Sequence, residues 1–599
     1  MRLVCLFISL FLYVVAFSQT NSGKLIVLHS NDLHSNLTGF SPESEYTPCS
    51  VDDDDTRGGF ARIAALIDAE KKANPDNVLV VDAGDFLMGT FFHIFEVNDG
   101  FQLHLMKKMG YDVVSIGNHE FDFGPNAFAQ IVNKNLEKGE IPQLVLSNAE
   151  LSKKSDLDDN LEKLFEKGII KPYTIVEKAG LKIGIFGLIG IDANESAPNA
   201  KPVIIQNRIK ISKQIVKTLR SQEKVDVVIC LSHCGVTKDK NGNWTGEDVE
   251  LALKVKGIDL IVSGHTHTEI HEPIIVNNTY IVQTGAQGQN LGRFEMNVES
   301  GKVKSARFQL LAVDDKIYGD CKIHQIISNR IKLIDDSILR PLGLGYFRPL
   351  AETDYQLGCD REEELSKSNL GPLVADAIHY YIHNFSNQKA DISLVAAGVI
   401  RDKFRVGKNG VQTAVDVFRI MSLGEGDDSM PGYPLAKVYL TAKEIKNLFE
   451  VLLLAPKMSP SYLCYFSGAK VYYNSEKGVL KKVVKIELDG KEIDISKKNK
   501  NLYSLAANSY MLEFVGKVRG MTMGLVKIVP KNAQGEKITN NKTTWIDFDE
   551  NKPGIQEGKE WIALVKFLQS FPDTDNNKIP NFPEKYKTAI VNTIDVATK

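Results

Sequence analysis

From Lys24 to about Gly285 the chain alternates apolar runs of strand length with longer stretches in which apolar residues recur at helical spacing. KLIVLHS, NVLVVDA, DVVSIG, PQLVLSN, KIGIFGLIG, VDVVICLS, IDLIVSG and TYIVQTG read as strands. Between several of them, GGFARIAALIDAEKK, NAFAQIVNKNLEKG and KISKQIVKTLRSQEK read as amphipathic helices. Strands this apolar are not suited to water on either face, so the pattern predicts an α/β domain over 24–317, its central sheets flanked by helices. Residues 318–350 are helical, mixed in charge and broken by RPLGLGYFRPL, and read as a linker. An α+β domain over 351–550 opens with SNLGPLVADAIHYYIHNF and continues through DISLVAAG, KVYLT and YSLAANSYM. Residues 551–599 are polar and read as a tail.

At 599 residues the chain is too long for one ordinary core, in keeping with two domains. Its 43% hydrophobic and 25% charged residues are those of a soluble globular protein. A net charge of -3 leaves no basic footprint and argues against nucleic acid as an obligate partner. The opening MRLVCLFISLFLYVVAFSQT reads as a signal peptide over residues 1–18, cut after Ser18, because polar chain follows the short apolar run at once. No cysteine follows the cut to take a lipid, and VNTIDVATK is no hydrophobic anchor signal, so the expectation is a periplasmic or secreted protein without a membrane anchor. Six cysteines remain after the cut; their pairing is not readable, and Cys230 and Cys234, which flank His233, read as buried structural thiols.

What the strands end in changes the picture. DVVSIGNHEFDFG closes a buried strand with a glycine and then sets down an amide, an imidazole and two carboxylates, groups costly to desolvate unless they bind something. Asp32 and His34 follow the first strand, Asp85 the second, and Asn118 and His119 the third; His233 closes VDVVICLS, and His265 and His267 follow IDLIVSG. In α/β sheets that edge is where ligands bind, so residues far apart in sequence can converge there. Nitrogen and oxygen donors without thiolate suit two divalent ions such as Zn, Mn, Fe or Mg and do not suit a structural cysteine zinc site. Two ions ~3.5–4 Å apart need a bridging carboxylate, and Asp85 is the natural bridge.

In order, VLHSNDLHSN, AGDFLMGT, GNHEFDFG, LSHCG and SGHTHT resemble the calcineurin-like metallophosphoesterases, specifically the exported two-domain 5'-nucleotidase and UDP-sugar hydrolase family, over residues 24 to about 550. The resemblance implies that Asp32, His34, Asp85 and His267 hold one metal ion and that Asp85, Asn118, His233 and His265 hold the other. It implies that His119 gives a proton or hydrogen bond to the phosphate or leaving oxygen, with Asp122 orienting its ring; an imidazole so fixed stays available as an acid near neutral pH. Glu120 reads either as a residue supporting the metal ligands or as a helix-start residue, the second being the plainer reading. The second domain would supply most of the substrate pocket and close over the metals. SNLGPLVADA and the GVIR of VAAGVIRD look like its marker segments, which makes Arg401 a candidate phosphate or substrate contact.

The substrate side departs from the family pattern. Where members commonly read Asn-Gly-Gly before Ile-Arg, this chain has Ala396, Ala397, Gly398 and Val399. The Pro-Phe-Gly segment that supplies one aromatic ring is here MSLGEG, with Leu423 at the ring position; the other wall is NSYMLEFVGK, which keeps an aromatic in Tyr510. A base clamped by rings gains about 1–3 kcal/mol per base, so leucine there weakens the clamp without touching the metals. The expectation is dinuclear metal-dependent hydrolysis of a small-molecule phosphoester, a nucleoside monophosphate with altered base recognition. A 2',3'-cyclic nucleotide or a UDP-sugar suits the same centre. A binding protein with vestigial turnover is the alternative of another class, against which His119 and Asp122 stand.

Two further stretches invite a metal. DTDNNKIPNFPE sets Asp573, Asp575, Asn577 and Asn581 at alternating positions with Glu584 at the twelfth, and reads equally as a calcium loop or a polar turn, since Lys578 stands where glycine is expected. VDDDDTRGG at 51–59 reads as a solvated acidic loop before a helix.

Overall fold

The computed structural model describes residues 21–359, 368–455, 462–512 and 526–597. The expected signal peptide at 1–18 lies outside them, as do residues 513–517 of the NSYMLEFVGK segment.

The apolar runs of the first half form two sheets. In one, β1 (Ser22–Ser30), β2 (Val78–Asp82), β3 (Val113–Ser115), β4 (Gln143–Val145) and β5 (Ile170–Lys171) pair in parallel in that order. The other holds β6 (Tyr173–Lys178), β7 (Leu181–Ile189), β8 (Val227–His233), β9 (Leu260–Ser263), β10 (Ile274–Val276) and β11 (Thr279–Val282), in the order β10-β11-β9-β8-β7-β6 with antiparallel strands at both edges. A hairpin of β12 (Asn290–Glu299) and β13 (Lys302–Ala312) then returns antiparallel along β1.

The two sheets share a core. Leu25, Val27, Leu79, Val81 and Val113 of the first cluster with Ile183, Ile185, Ile229, Leu231 and Val262 of the second. On the outer faces Ile26, Leu28 and Val80 join Ile63 and Ile67 of α1 (Phe60–Ala73) and Phe128 and Ile131 of α2 (Pro125–Lys138). Val228 and Ile261 join Val216 of α3 (Arg208–Lys217) and Leu251 of α4 (Glu247–Lys254). Strands buried on both faces need apolar residues at every position, which is why the runs show no alternation. Each fully buried Val, Leu or Ile contributes about 1.5–3 kcal/mol, and this packing holds the strand ends at one edge.

Beyond β13, α5 (Cys321–Ile334) packs on α1, its start capped by Asp320, whose carboxylate accepts from the amides of Lys322 and Ile323. A disulfide joins Cys321 to Cys49. The second half contains α6 (Leu370–Phe385), β14 (Ile392–Ala396), α7 (Ala414–Ile420), β15 (Leu435–Thr441), α8 (Ala442–Leu452), β16 (Cys464–Ser467), β17 (Leu502–Asn508) and α9 (Glu560–Leu568). Its main sheet runs β15-β17-β14-β16. Thr413 with Asp416, and Thr441 with Glu444, form capping boxes that start α7 and α8. The halves meet through aromatic rings: Phe91 stacks on Phe418 with centroids 3.9 Å apart, and Trp561 meets both edge-on.

Two expectations change here. The described part of the expected tail, 551–597, is integrated into the second half: Trp561 of α9 is fully buried and donates to the Pro431 carbonyl at 2.8 Å, Tyr586 bonds Asp376 at 2.6 Å, and Thr593–Asp595 pairs with Ala469–Tyr473. Its polar average hid one apolar helix face, WIALVKFL. The acidic loop at 51–59 is only partly solvated, because Asp54 is buried as the counter-ion of buried Arg62 at 2.8 Å, with Asp315 at 3.0 Å on the same guanidinium. No helix among the described residues is long and apolar enough to cross a membrane.

Candidate metal centre and substrate cleft

The polar motifs occupy the loops that follow β1, β2, β3 and β9 and the end of β8. Asp32, His34, Asp85, His265 and His267 have φ of 51°, 48°, 56°, 73° and 55°, left-handed backbone that residues with side chains seldom adopt. Each such residue costs on the order of 1–3 kcal/mol. Two glycines permit the close approach: a Cβ on Gly117 would lie 2.2 Å from Asp85 Oδ1, and one on Gly264 would lie 2.9 Å from His233 Nδ1. That accounts for the glycine in both GNHE and GHTH.

Asp32, His34 and His267 place ligand atoms within 4.8 Å of one another; so do Asp85, His233 and His265, and so do His34, Asp85 and His119. His34 Nε2 lies 3.0 Å from His267 Nε2, and His233 Nε2 lies 3.0 Å from Asp85 Oδ2 and 3.8 Å from Asp32 Oδ1. Carbonyl partners set two tautomers: Nδ1–H of His34 donates to Leu87 at 3.3 Å and Nδ1–H of His233 to Ala83 at 3.0 Å. In the neutral rings the Nε2 lone pairs therefore face the cluster, an arrangement that repels unless a cation stands among them. The amide oxygen of Asn118 is buried and accepts no hydrogen bond among the described residues. These donors fit divalent metal ions. Burial pushes the Asp32 carboxyl up to about 6 and holds the His34 ring well below its ordinary value, and although burial lowers His233, Asp85 and Asp32 outweigh it and raise that ring to about 10.

Supporting residues come from between the motifs. Of the two readings of Glu120 the structure favours the supporting one: fully buried, it accepts from the amides of Asp85 at 3.0 Å, Leu87 at 3.1 Å and Gly117 at 2.6 Å, pinning the loops after β2 and β3 together. Asn31 Nδ2 donates to Asp32 at 2.7 Å, and buried Asp248 accepts from the hydroxyls of Ser232 and Ser263 at 2.6 Å, tying the ends of β8 and β9. The sequence reading missed both; Asn31 at least lies inside SNDLHSN, whereas nothing marks Asp248. His119 donates from Nδ1 to Asp122 Oδ2 at 2.6 Å, which leaves Nε2 for the cleft it lines. Burial lowers this ring, yet Asp122 and Asp85 outweigh it and hold the imidazole above its ordinary value.

The donors open onto a cleft of about 2440 Å³ lined by residues of both domains, among them Arg401, Leu423, Tyr433 and Tyr510. Arg401 forms no ion pair among the described residues and lies close enough for Asp85 and Asp122 to act on its charge. The ring absent at Leu423 is replaced from elsewhere in the chain. The segment after it folds back, Gly432 N–H donating to Gly424 at 2.8 Å and Tyr433 N–H to Leu423 at 3.1 Å, and the Tyr433 ring stacks on Tyr510 with centroids 5.2 Å apart and planes 14° apart. Gly424 makes room, since a Cβ there would come within 2.3 Å of the Tyr433 ring. Only the turn over 424–432 brings Tyr433 to this wall, so sequence alignment by motif could not place it. Ala396, Gly398 and Val399 also line the cleft.

Elsewhere, Asn577 and Asn581 donate to Glu352 at 2.8 and 2.7 Å, their oxygens accept from the amides of Ile579 and Thr574, and Asp573 accepts from the Lys578 amide at 2.9 Å. Glu584 sits 3.7 Å from Lys587. These side chains of the 573–584 loop thus have protein partners. Cys230 and Cys234 are buried and unpaired, and burial pushes both thiols well above their ordinary value.

Known proteins resemble this chain in sequence and fold. Residues 25–269 match the calcineurin-like phosphoesterase family and residues 350–519 the 5'-nucleotidase C-terminal domain. The chain is therefore a metallophosphoesterase, a hydrolase of phosphoester bonds, and its pairing of these two domains puts it in the 5'-nucleotidase family. It is 26% identical over 497 residues to the snake venom 5'-nucleotidase of Naja atra, covering 78% of this chain and 85% of that protein. It is 28% identical over 452 residues to the trifunctional nucleotide phosphoesterase protein YfkN of Bacillus subtilis, covering 71% of this chain but 27% of that much longer protein. The crystal structure of a 5'-nucleotidase precursor from Thermus thermophilus superposes with a TM-score of 0.67 over 96% of this chain and 100% of that one, at 20% identity, a likeness of fold.

Proposed function

We propose that the chain releases phosphate from nucleoside 5'-monophosphates at a centre of two divalent ions. One ion would be held by Asp32, His34, Asp85 and His267, the other by Asp85, Asn118, His233 and His265. The observation that carries the reading is that one cleft is lined by Asp85, Asn118, His265 and His267 of these donors, by the His119–Asp122 pair, by Arg401, which forms no ion pair among the described residues, and by a pair of stacked tyrosines. Bound ions would supply Lewis-acid activation of the phosphoryl group and of the attacking water.

The chain's own residues do the rest. Hydrolysis forms a bond from water oxygen to phosphorus and breaks the bond to the nucleoside oxygen. Protonated His119 gives its proton to that departing oxygen, and Asp122 holds the ring for it. Arg401 pairs with the phosphoryl oxygens, and the tyrosine pair takes the base.

The size of the cleft favours a second reading. About 2440 Å³ exceeds the ordinary pocket of about 300–1,000 Å³, and this room suits a UDP-sugar; a cyclic nucleotide, no larger than AMP, suits the same centre. The disulfide between Cys49 and Cys321 supports export to an oxidising compartment, periplasmic or secreted. The test is turnover by metal-stripped protein refilled with Mn, Zn or Mg: inorganic phosphate from AMP directly, and, after a coupling phosphatase, phosphate from the monoesters that UDP-glucose and a 2',3'-cyclic nucleotide yield. Metal-dependent release favouring AMP supports the first reading, preference for UDP-glucose or the cyclic ester supports the second, and no turnover with any metal defeats both.

A further inference from the structure

Asp192 belongs to none of the strand-end motifs, yet it meets one of them. Its Oδ2 accepts a hydrogen bond from Nε2 of His265 at 2.9 Å. Asp192 stands on the short helix Ile191–Glu195 after β7. That helix is anchored from elsewhere: Glu247, at the start of α4, accepts from the amides of Ile191 at 2.9 Å and Asp192 at 3.1 Å, and Arg208 Nε holds Glu247 at 3.1 Å. The Asp192 side chain is 77% exposed, so two other elements, and not burial, set its position.

The contact matters because a neutral imidazole binds a metal only through the nitrogen that carries no proton. A hydrogen bond from Nε2 to Asp192 fixes the proton there and leaves Nδ1 as the basic nitrogen. The His265 main chain is already committed, with φ of 73° and its amide bonded to Asp32 at 3.0 Å. The remaining freedom is the ring's rotation and tautomer, and Asp192 restricts both. His34 and His233 take the corresponding bond from buried backbone carbonyls, which no substitution removes. His265 takes it from a side chain on the rim.

We propose that Asp192 is a positioning residue that fixes the tautomer and tilt of His265, and so sets the affinity of the ion site shared by Asp85, Asn118, His233 and His265 without affecting the other site. This rests on the two-ion reading above. Carboxylate partners of ligating histidines are worth about 10–100-fold in metal affinity.

The test uses the full chain, stripped with chelator and titrated with Mn by calorimetry, which does not depend on turnover. Wild type should take up two ions. Asp192→Ala should weaken one of them about 10–100-fold and leave the other affinity and the metal-free unfolding temperature unchanged. Asp192→Asn, whose amide oxygen still accepts from Nε2–H, should fall between the two. Unchanged binding by Asp192→Ala, or equal weakening of both ions, would overturn the inference. Fewer than two ions in wild type would defeat the two-ion reading itself, and this inference with it.

Discussion

Tyr433→Ala tests substrate recognition most directly. The Tyr433 and Tyr510 rings lie 5.2 Å apart at 14°, and both line the cleft. Removing one ring should therefore cost binding and leave the chemical step alone. A base–ring stack is worth about 1–3 kcal/mol, and at about 1.4 kcal/mol per tenfold this predicts a fall in kcat/KM for AMP of roughly 5- to 150-fold. Since Tyr510 remains, the loss should sit toward the lower end and appear in KM, the pattern expected when ground state and transition state lose the same contact. The assay is phosphate release from AMP beside ribose 5-phosphate, which has the same sugar and phosphate but no base. Ribose 5-phosphate should be unaffected. Tyr433→Phe should retain AMP activity, and Gly424→Ala, by pushing the ring from its seat, should reproduce the loss on AMP alone. Equal losses on both substrates, or unchanged KM for AMP, would refute the stacking role.

Other residues yield independent expectations. His119→Asn should lower kcat by about 10²–10⁴-fold while metal content by atomic absorption stays at the wild-type value; retained turnover would remove His119 from the mechanism. Burial lowers His29 from 6.5 to about 3, so the unfolded chain binds a proton that the folded one refuses. Its effect is constant above pH 6.5, and stability falls as the pH drops from 6.5 toward 3, by up to about 1.4 kcal/mol per pH unit. Wild type should therefore lose stability relative to His29→Leu on acidification through this window, and a constant difference in unfolding midpoint would contradict it. Cys49→Ser should cost about 2–4 kcal/mol; in calorimetry, a reductant should lower the midpoint of wild type and leave that of the variant alone.

Much of this protein is legible in its sequence, for identifiable reasons. Strands buried on both faces must be apolar throughout, so the sheets announce themselves. Metal donors are chemically narrow, and the glycines beside them are required by contacts of 2.2 and 2.9 Å that no Cβ could share. The strand-end rule then explains how residues from Asp32 to His267 meet. Arg401 was marked by its local motif, and it lines the cleft. The aromatic wall was not: Leu423 reads as a lost ring, and only the backbone turn that carries Tyr433 beside it restores one.

The same holds wherever a partner is distant and chemically ordinary. Glu120 reads most plainly in sequence as a residue that starts a helical turn, and only the fold brings the amides of Asp85 and Leu87 onto it. Asp54 is one of four aspartates in a row, and it is Arg62 that draws it inside. Asp192 gains its meaning from an anchored helix that faces His265. The pairing of Cys49 with Cys321 and the burial of Trp561 likewise depend on which surfaces meet. Sequence alone determined the elements and the reactive groups, because periodicity and donor chemistry are local properties. Tertiary structure alone decided which neutral-looking side chains position those groups, because hydrogen bonds and stacking depend on approach distances that the order of residues does not contain.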